Sequence, residues 1–285
     1  MMCRINDLKS SLTRATQIAF NGVVVAIATT LSVGCGGGGD GGSTTSVSPA
    51  PATVVKCDSA ATAGVAPGFN GKQTLAVCPN LFVDPSIAVA DRAQISNTIL
   101  NAVERDRVFY GSLVAAPPDV IVCATAECGA YFAGPTLRNT TLGPNNYVDG
   151  ASFVAPRTTI VITGIAADTE NVLTHEGSHV EVAARLGNSS VPAWFSEGLA
   201  TFVGAAPDCT GVIARAFTDL RQVDAQAAWN TRTNDLAVFL PAYCQARSEF
   251  AAWIGARPAG ATLTLLTAVK SGTPFYTAYG PFLTQ

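Results

Sequence analysis

Histidine is scarce in this chain of 285 residues, and charged side chains are few. The chain has two histidines, and 17 Lys and Arg residues stand against 20 Asp and Glu residues, which gives a formal net charge of −3. No run of Lys or Arg occurs beyond the first fourteen residues. Because proteins that bind nucleic acid carry a concentrated basic patch, no DNA or RNA partner is expected. No segment recurs with a period of about 20 to 50 residues, which argues against a solenoid or a propeller.

The first 34 residues have the pattern of an export signal. Basic residues at the start precede an apolar stretch over residues 18–33, which ends just before Gly34 and Cys35. A cysteine after a small residue resembles the lipidation site of bacterial lipoproteins, which implies that residues 1–34 are removed and that Cys35 carries the lipid. An uncleaved membrane anchor and ordinary secretion are the alternatives. An anchor needs about 20 apolar residues to span a bilayer, and this stretch is slightly shorter.

A flexible tether is expected after the signal. Residues 35–55 are mostly Gly, Ser, Thr and Pro, a composition that buries little apolar surface. Gly36 is not the aspartate that, by the same resemblance, marks lipoproteins retained at the inner membrane. No second linker follows, so residues 56–285 are expected to form one domain. The resemblance implies that a lipid anchors this domain in the bacterial cell envelope, at the outer membrane on its periplasmic or surface side.

Six cysteines remain when Cys3 in the signal and Cys35 are set aside. An even number of cysteines in an exported chain predicts disulfides, and six cysteines allow fifteen connectivities. Pairing of nearest neighbours along the sequence predicts the bonds Cys57–Cys78, Cys123–Cys128 and Cys209–Cys244. A zinc ion bound by cysteines is the alternative, which the absence of any C-x-x-C pair disfavours.

Strand-like patterns fill the first half of residues 56–285, and helical patterns fill the second half. The hydrophobic fraction of 48% is sufficient for a sizeable core and excludes global disorder. Apolar and β-branched runs predict strands over residues 74–83, 120–124, 151–155 and 158–163, with a helix over about 85–108. Helices are predicted over residues 168–186, 192–202, 241–254, 261–270 and 273–283. This order predicts an α+β domain with helices on one side of a mixed sheet.

Both histidines belong to the motif His175-Glu176-Gly177-Ser178-His179. In a helix, residues four apart lie on the same face about 6 Å from each other, so both imidazoles can approach one metal ion. The H-E-x-x-H pattern is typical of zinc hydrolases, in which a third protein ligand completes the site and water takes the fourth position. A pair of surface histidines on an ordinary helix is the alternative.

A second segment, Trp194-Phe195-Ser196-Glu197-Gly198-Leu199-Ala200, supplies what the first motif lacks. It resembles the W-x-x-E-G-x-A signature of the gluzincin metallopeptidases, the thermolysin and aminopeptidase-like clan. The resemblance implies a zincin-like fold, with an N-terminal mixed sheet and helix, an active-site helix and a mainly helical C-terminal half. It also implies Glu197 as the third ligand, and the 18 residues from His179 to Glu197 leave room for an antiparallel helix to return a carboxylate to the metal.

The implied chemistry is hydrolysis of a peptide or protein substrate by one zinc ion, with Glu176 as the general base. The sequence has no third histidine to stabilise the oxyanion, so the donor must be a tyrosine, an arginine or a backbone N–H. Tyr243 matches a tyrosine in the downstream helix of the clan; packing beside Cys244 is its alternative role, and Tyr276 and Tyr279 are further candidates. The strand over residues 158–163 is expected to be the sheet edge that aligns an extended substrate.

Two positions depart from the gluzincin pattern. Glu181 stands where zinc-peptidase motifs usually have an apolar residue. Thr201 stands four residues after Glu197, where thermolysin-like enzymes have an acid that orients a metal-bound histidine. These residues are expected either to weaken the zinc site or to route its hydrogen bonds differently.

Two other functions are compatible with the same motifs. A catalytically inactive, zinc-stabilised binding protein at the cell surface, a pseudopeptidase, would have an occluded site, yet an intact Glu176 argues against it because a structural zinc site needs no base. A zinc hydrolase that acts on other bonds is the third possibility. The sequence identifies neither the substrate nor the oligomeric state.

Overall fold

The computed structural model describes residues 68–69, 72–78, 80–133, 149–153, 159–163 and 167–284. The predicted signal, the lipidation site Cys35, the tether over residues 35–55 and Cys57 lie outside these ranges. The signal, the tether and the bond between Cys57 and Cys78 therefore stay predictions.

Within the described residues, five strands form one mixed sheet, and two more form a separate antiparallel pair. The strands are β1 (Gly68–Phe69), β2 (Lys72–Gln73), β3 (Leu75–Cys78), β4 (Leu81–Val83), β5 (Asp119–Cys123), β6 (Asp149–Phe153) and β7 (Thr159–Thr163). The order in the sheet is β3-β4-β5-β7-β6. The central strands β4, β5 and β7 are parallel, whereas β3 and β6 are antiparallel to their neighbours. The predicted mixed sheet is confirmed.

Eight α-helices occur within the described ranges. They are α1 (Val89–Tyr110), α2 (Ala126–Ala133), α3 (Thr169–Leu186), α4 (Ala193–Gly204), α5 (Gln226–Thr233), α6 (Leu236–Gly255), α7 (Ala261–Lys270) and α8 (Phe275–Tyr279), and a 3₁₀ turn spans Leu220–Val223. The C-terminal half is mostly helical, as expected. No helix in this part of the chain is both long and apolar enough to cross a membrane.

The sheet is covered on both faces because its central strands are apolar in unbroken runs. On one face, Val122 and Ile162 belong to a buried cluster with Ile95 of α1 and Leu173 of α3. On the other face, a smaller cluster joins Cys128 of α2 to residues of the central strands. The prediction that helices cover only one side is wrong, since α2 lies on the side opposite to α1 and α3.

A third apolar cluster lies among the C-terminal helices. Its largest members are Trp194, Trp229 and Trp253, each at most 2% exposed. Phe195 of α4 lies in the same cluster and contacts the rings of Phe250 and Phe275. Such aromatic contacts bury large areas and restrict side-chain motion. They fix the start of α4, the helix that carries Glu197, the expected third metal ligand.

Three predicted element boundaries change for local reasons. Helix α1 begins at Val89 rather than at residue 85, because Asp84 accepts hydrogen bonds from the backbone and side chain of Ser86 and forms a turn there. Helix α6 begins at Leu236 rather than at residue 241, because the carboxylate of Asp235 caps it. The run over residues 74–83 is two strands, separated by a turn at Asn80, whose φ is 65°.

Other predicted elements are confirmed with small shifts, and two helices were missed. Helix α7 has the predicted bounds, while α8 covers only Phe275–Tyr279 of the predicted 273–283. The strand predicted over residues 151–155 is β6, which begins two residues earlier. Helices α2 and α5 have eight residues each and were not predicted. Short helices carry little periodic signal, so such elements are easily missed.

Two of the predicted disulfides are confirmed. Cys123 pairs with Cys128, and Cys209 pairs with Cys244, with Cα–Cα distances of 5.4 Å in both cases. The first bond joins the end of β5 to α2. The second joins the segment after α4 to α6, at the residue next to Tyr243. Disulfides are compatible with the predicted export, because they persist in oxidising compartments.

Candidate metal centre

Helix α3 carries the H-E-x-x-H motif along its buried face. Asp168 occupies the predicted N-cap position, although its side chain makes no capping hydrogen bond. The helix ends at Leu186 because Gly187 takes a φ of 63°, a conformation that favours glycine. Pro192 precedes α4, which needs no backbone N–H at that position. The two helices thus begin and end close to where the sequence predicts.

His175, His179 and Glu197 converge on one point. The Nε2 atoms of the two histidines are 3.1 Å apart, and the Oε2 atom of Glu197 lies 3.3 Å from the first and 3.4 Å from the second. Ligand atoms about 2.0 to 2.2 Å from a tetrahedral zinc ion are roughly 3.3 to 3.6 Å from one another. The three atoms therefore have nearly the spacing that a single metal ion requires. His175, His179 and Glu197 form a candidate ligand group, which could hold one ion.

The burial of Glu197 also favours a cation. Its side chain is 10% exposed, and its Oε2 atom makes no regular hydrogen bond within the described part of the chain. A buried carboxylate oxygen without a donor is costly unless a positive charge lies beside it. The convergence of this oxygen with two imidazole nitrogens satisfies that requirement when a metal ion binds.

The three side chains form a negative centre that attracts a proton or a metal cation. Burial by itself lowers the pKa of His179, but the charge of Glu197 outweighs it and raises that pKa to about 9. Burial by itself raises the pKa of Glu197, but the charges of His179 and His175 lower it well below its ordinary value. A metal ion must therefore displace the proton that the pair shares.

Glu176 lies beside the three converging residues but does not belong to the group. Its residue is 7% exposed, and its negative charge contributes to the raised pKa of His179. The prediction that Glu176 is not a ligand agrees with this arrangement. A carboxylate so close to the metal position, yet outside the ligand group, is suited to accept a proton from a nearby water molecule.

The ring of Tyr243, on α6, lies beside the ring of His175. Its ring centroid is 6.0 Å from that of His175. The same ring also packs against Phe239 at 4.6 Å and Trp229 at 5.2 Å. Both roles predicted for Tyr243, a donor near the metal and an aromatic packing residue, are therefore compatible with its position.

The two other candidate tyrosines are engaged elsewhere. The hydroxyl of Tyr276 donates to Asp224, and the hydroxyl of Tyr279 donates to Glu249. Burial is the main cause that raises both pKa values above the ordinary range of tyrosine. Both hydroxyls thus bind carboxylates outside the metal centre, which disfavours them as the oxyanion donor.

Glu181 stabilises a neighbouring segment of the chain. Its buried carboxylate accepts hydrogen bonds from the backbone N–H groups of Val114 and Ala115, and from Arg185. These bonds hold the segment after α1 against α3. Glu181 thus satisfies its charge outside the ligand group, which explains how α3 tolerates an acid at this position.

Sequence reasoning missed Ser196 and Asp106, which both approach the motif from other helices. The hydroxyl of Ser196 lies 2.9 Å from the Nδ1 atom of His179. Asp106 of α1 is 4% exposed and lies against Gly177, where an added Cβ would be 2.4 Å from its Oδ2 atom. Burial, together with the charge of Glu181, raises the pKa of Asp106 to about 8, so the neutral acid predominates at pH 7.

The predicted substrate edge is wrong. Strand β7, which covers most of residues 158–163, lies between β5 and β6 and is hydrogen-bonded on both sides. Strand β6 (Asp149–Phe153) is the edge strand on that side of the sheet, and it also packs near α3. Strand order depends on pairing between distant segments, so the order of strands along the chain does not reveal which one is the edge.

Two glycines let α4 approach its neighbours closely. A Cβ on Gly204 would lie 2.6 Å from the carbonyl oxygen of Asn171 and 2.7 Å from the backbone nitrogen of His175. A Cβ on Gly198 would lie 2.4 Å from the carbonyl oxygen of Ala246 on α6. The position of Glu197 relative to the two histidines therefore depends on these glycines.

Replacing Gly204 by alanine is expected to lower the free energy of unfolding by about 3 kcal/mol, because backbone atoms must move to admit the methyl group. The matched control is Gly255→Ala at the end of α6, where an added Cβ has no neighbour within 4 Å. That change is expected to alter stability by less than about 1 kcal/mol, in the stabilising direction. Urea unfolding of both variants measures the difference, and equal stabilities would show that α3 and α4 are not closely packed.

No protein-family profile, curated protein or solved structure matches this chain. The resemblance to gluzincins therefore depends on the two sequence motifs, and the possible function depends on the geometry of the residues that they contain.

Proposed function

We propose that the chain is a zinc-dependent hydrolase of peptide bonds, a gluzincin-like metallopeptidase tethered to a membrane. The observation that carries this proposal is the convergence of His175, His179 and Glu197 within 4.8 Å, with Glu176 buried next to them. A purely structural metal site has no need of an additional buried carboxylate at that position.

Zinc is the metal that this donor set favours. Two neutral imidazoles and one carboxylate are the usual protein ligands of catalytic zinc, and calcium or magnesium would require more oxygen ligands. When bound, Zn²⁺ would polarise a substrate carbonyl and lower the pKa of water. His175, His179 and Glu197 would hold the ion.

Glu176 has the role of general base in this proposal. Its carboxylate would take a proton from the attacking water and pass it to the leaving amine. Tyr243 is the proposed donor to the oxyanion, because the chain has no third histidine and the Tyr243 ring lies beside His175. An extended peptide or protein substrate would pair with strand β6, the edge strand that replaces the one predicted from sequence.

The proposed location follows from the N-terminal sequence. A lipid on Cys35 and the tether over residues 35–55 would hold the domain at the outer membrane, on its periplasmic or surface side. The two disulfides within the described residues support export from the cytoplasm.

One observation favours the second candidate, an inactive zinc-stabilised binding protein. His175, Glu176 and Glu197 are only 6 to 7% exposed, so little of the ligand group is open to solvent. The side chain of His179 is 18% exposed, so part of the group is open to solvent. A zinc hydrolase of other bonds shares all of this geometry and differs only in its substrate.

Removal of the metal tests the proposed function. The purified chain is expected to cleave an unfolded, fluorescently labelled protein, to lose this activity in 1,10-phenanthroline, and to regain it with one equivalent of Zn²⁺. Mg²⁺ is expected not to restore it, since the site offers too few oxygen ligands. A chain that binds zinc without cleaving this protein or a diverse peptide library would overturn the peptidase proposal and support the binding protein or a hydrolase of other bonds.

A further inference from the structure

The hydroxyl of Ser196 lies next to the candidate metal-binding residues. Ser196 lies in the first turn of α4, immediately before Glu197, and is half-buried. Its Oγ atom is 2.9 Å from the Nδ1 atom of His179, which is normal hydrogen-bond distance. One turn of α4 thus presents a ligand to the metal and a hydroxyl to a neighbouring ligand.

The direction of this hydrogen bond follows from the geometry of the imidazole. The Nε2 atom of His179 faces His175 and Glu197, so a metal would bind there through an unprotonated nitrogen. The proton of a neutral imidazole must then be on Nδ1, which donates it to the Ser196 oxygen. This hydrogen bond fixes both the tautomer and the ring orientation of His179.

We propose that Ser196 is a positioning residue, which holds His179 with its Nε2 lone pair directed at the metal. This inference rests on the metal site of the proposed function. A single helical turn supplies both Glu197 and Ser196, so the orientation of His179 is coupled to the placement of the third ligand. The close packing at Gly198 and Gly204 keeps α4 at the distance that both contacts need.

The two histidines differ in the hydrogen bonding of their Nδ1 atoms. The Nδ1 atom of His175 is buried and has no hydrogen-bond partner within the described residues. The hydroxyl of Thr201, on the same helix as Ser196, is also buried and has no partner there. The loss of the hydroxyl at residue 196 should therefore weaken the site. The matched control is Thr262 of α7, whose hydroxyl is also buried without a partner among the described residues and which the site does not include.

The experiment compares zinc affinity among four full-length proteins by competition with a chromophoric chelator. Ser196→Ala is expected to weaken zinc binding about 10- to 100-fold, the usual effect of losing a hydrogen bond to a metal-bound histidine. Ser196→Thr, which keeps a hydroxyl, is expected to restore affinity to within about threefold of the wild type. Thr262→Val, which removes an unpartnered buried hydroxyl of α7 and keeps a side chain of similar shape, is expected to match the wild type.

Two further measurements separate positioning from folding. For the metal-free proteins, the free energies of unfolding in urea should be nearly equal for the wild type and Ser196→Ala. The visible spectrum of bound Co²⁺ should change in Ser196→Ala alone. If the wild type binds zinc and Ser196→Ala binds it equally well, the positioning role is overturned while the metal site stands. If the wild type binds no zinc, the metal site itself is overturned.

Discussion

Replacing Glu176 by glutamine is expected to abolish peptide cleavage while the protein keeps its zinc. Glutamine has nearly the same shape as glutamate but cannot accept a proton at neutral pH, so the water nucleophile loses its base. General-base catalysis usually contributes about 10²- to 10⁴-fold, and kcat/KM is expected to fall by that factor. Metal content by plasma mass spectrometry should stay at about one zinc per chain, because Glu176 is outside the ligand group.

Glu170→Gln is the matched control for this prediction. Glu170 lies on the same helix, and its side chain is 34% exposed and contacts Arg105 and Asn101 rather than the ligands. The same chemical change there is expected to leave kcat/KM within about twofold, since exposed ion pairs contribute little. Equal activities of Glu176→Gln and Glu170→Gln would remove Glu176 from the mechanism.

Replacing Glu197 by glutamine is expected to weaken zinc binding at least about a hundredfold. Structural zinc sites bind with about 10 to 16 kcal/mol, so each ligand accounts for several kcal/mol, and every 1.4 kcal/mol is a tenfold change in Kd. Glutamine preserves the packing of α4 but removes the negative charge. Chelator competition measures the change, and an unchanged Kd would show that the third ligand is another residue.

The metal-free proteins, kept in a chelator, allow a second measurement on the ion pair of His179 and Glu197. Because the folded-state pKa of His179 is about 9, above its ordinary 6.5, the folded chain holds this proton more tightly than the unfolded chain. Protonated His179 therefore stabilises the folded chain fully below pH 6.5. This stabilisation is lost as the pH rises from 6.5 through about 9. Glu197→Gln is expected to lack this loss, which urea unfolding between pH 6 and about 10 would detect.

The ligand group was predictable because its geometry is mostly local. Four residues of helix bring His175 and His179 to one face, whatever the rest of the chain does. The placement of Glu197 needed one further assumption, that α4 returns antiparallel to α3, and Gly187 and Pro192 indicated the intervening turn. The same local signals predicted α7 and the two disulfides that join neighbouring cysteines.

The remaining features depend on contacts between distant segments. The sheet edge is β6 rather than β7 because of pairing that periodicity does not encode. Asp106 and Ser196 reach the motif from α1 and α4 through helix packing, so neither residue stood out by spacing. Glu181 departs from the zinc-peptidase pattern because its carboxylate accepts hydrogen bonds from the backbone of Val114 and Ala115, a contact between distant segments that the local pattern does not indicate.

Anomalous scattering at the zinc absorption edge from crystals of the zinc-loaded chain tests the central claim most directly. The predicted result is a single strong peak within about 2.2 Å of the Nε2 atoms of His175 and His179 and of a carboxylate oxygen of Glu197. A peak at other residues, or no peak after loading with zinc, would contradict the assignment of these three side chains as the metal site.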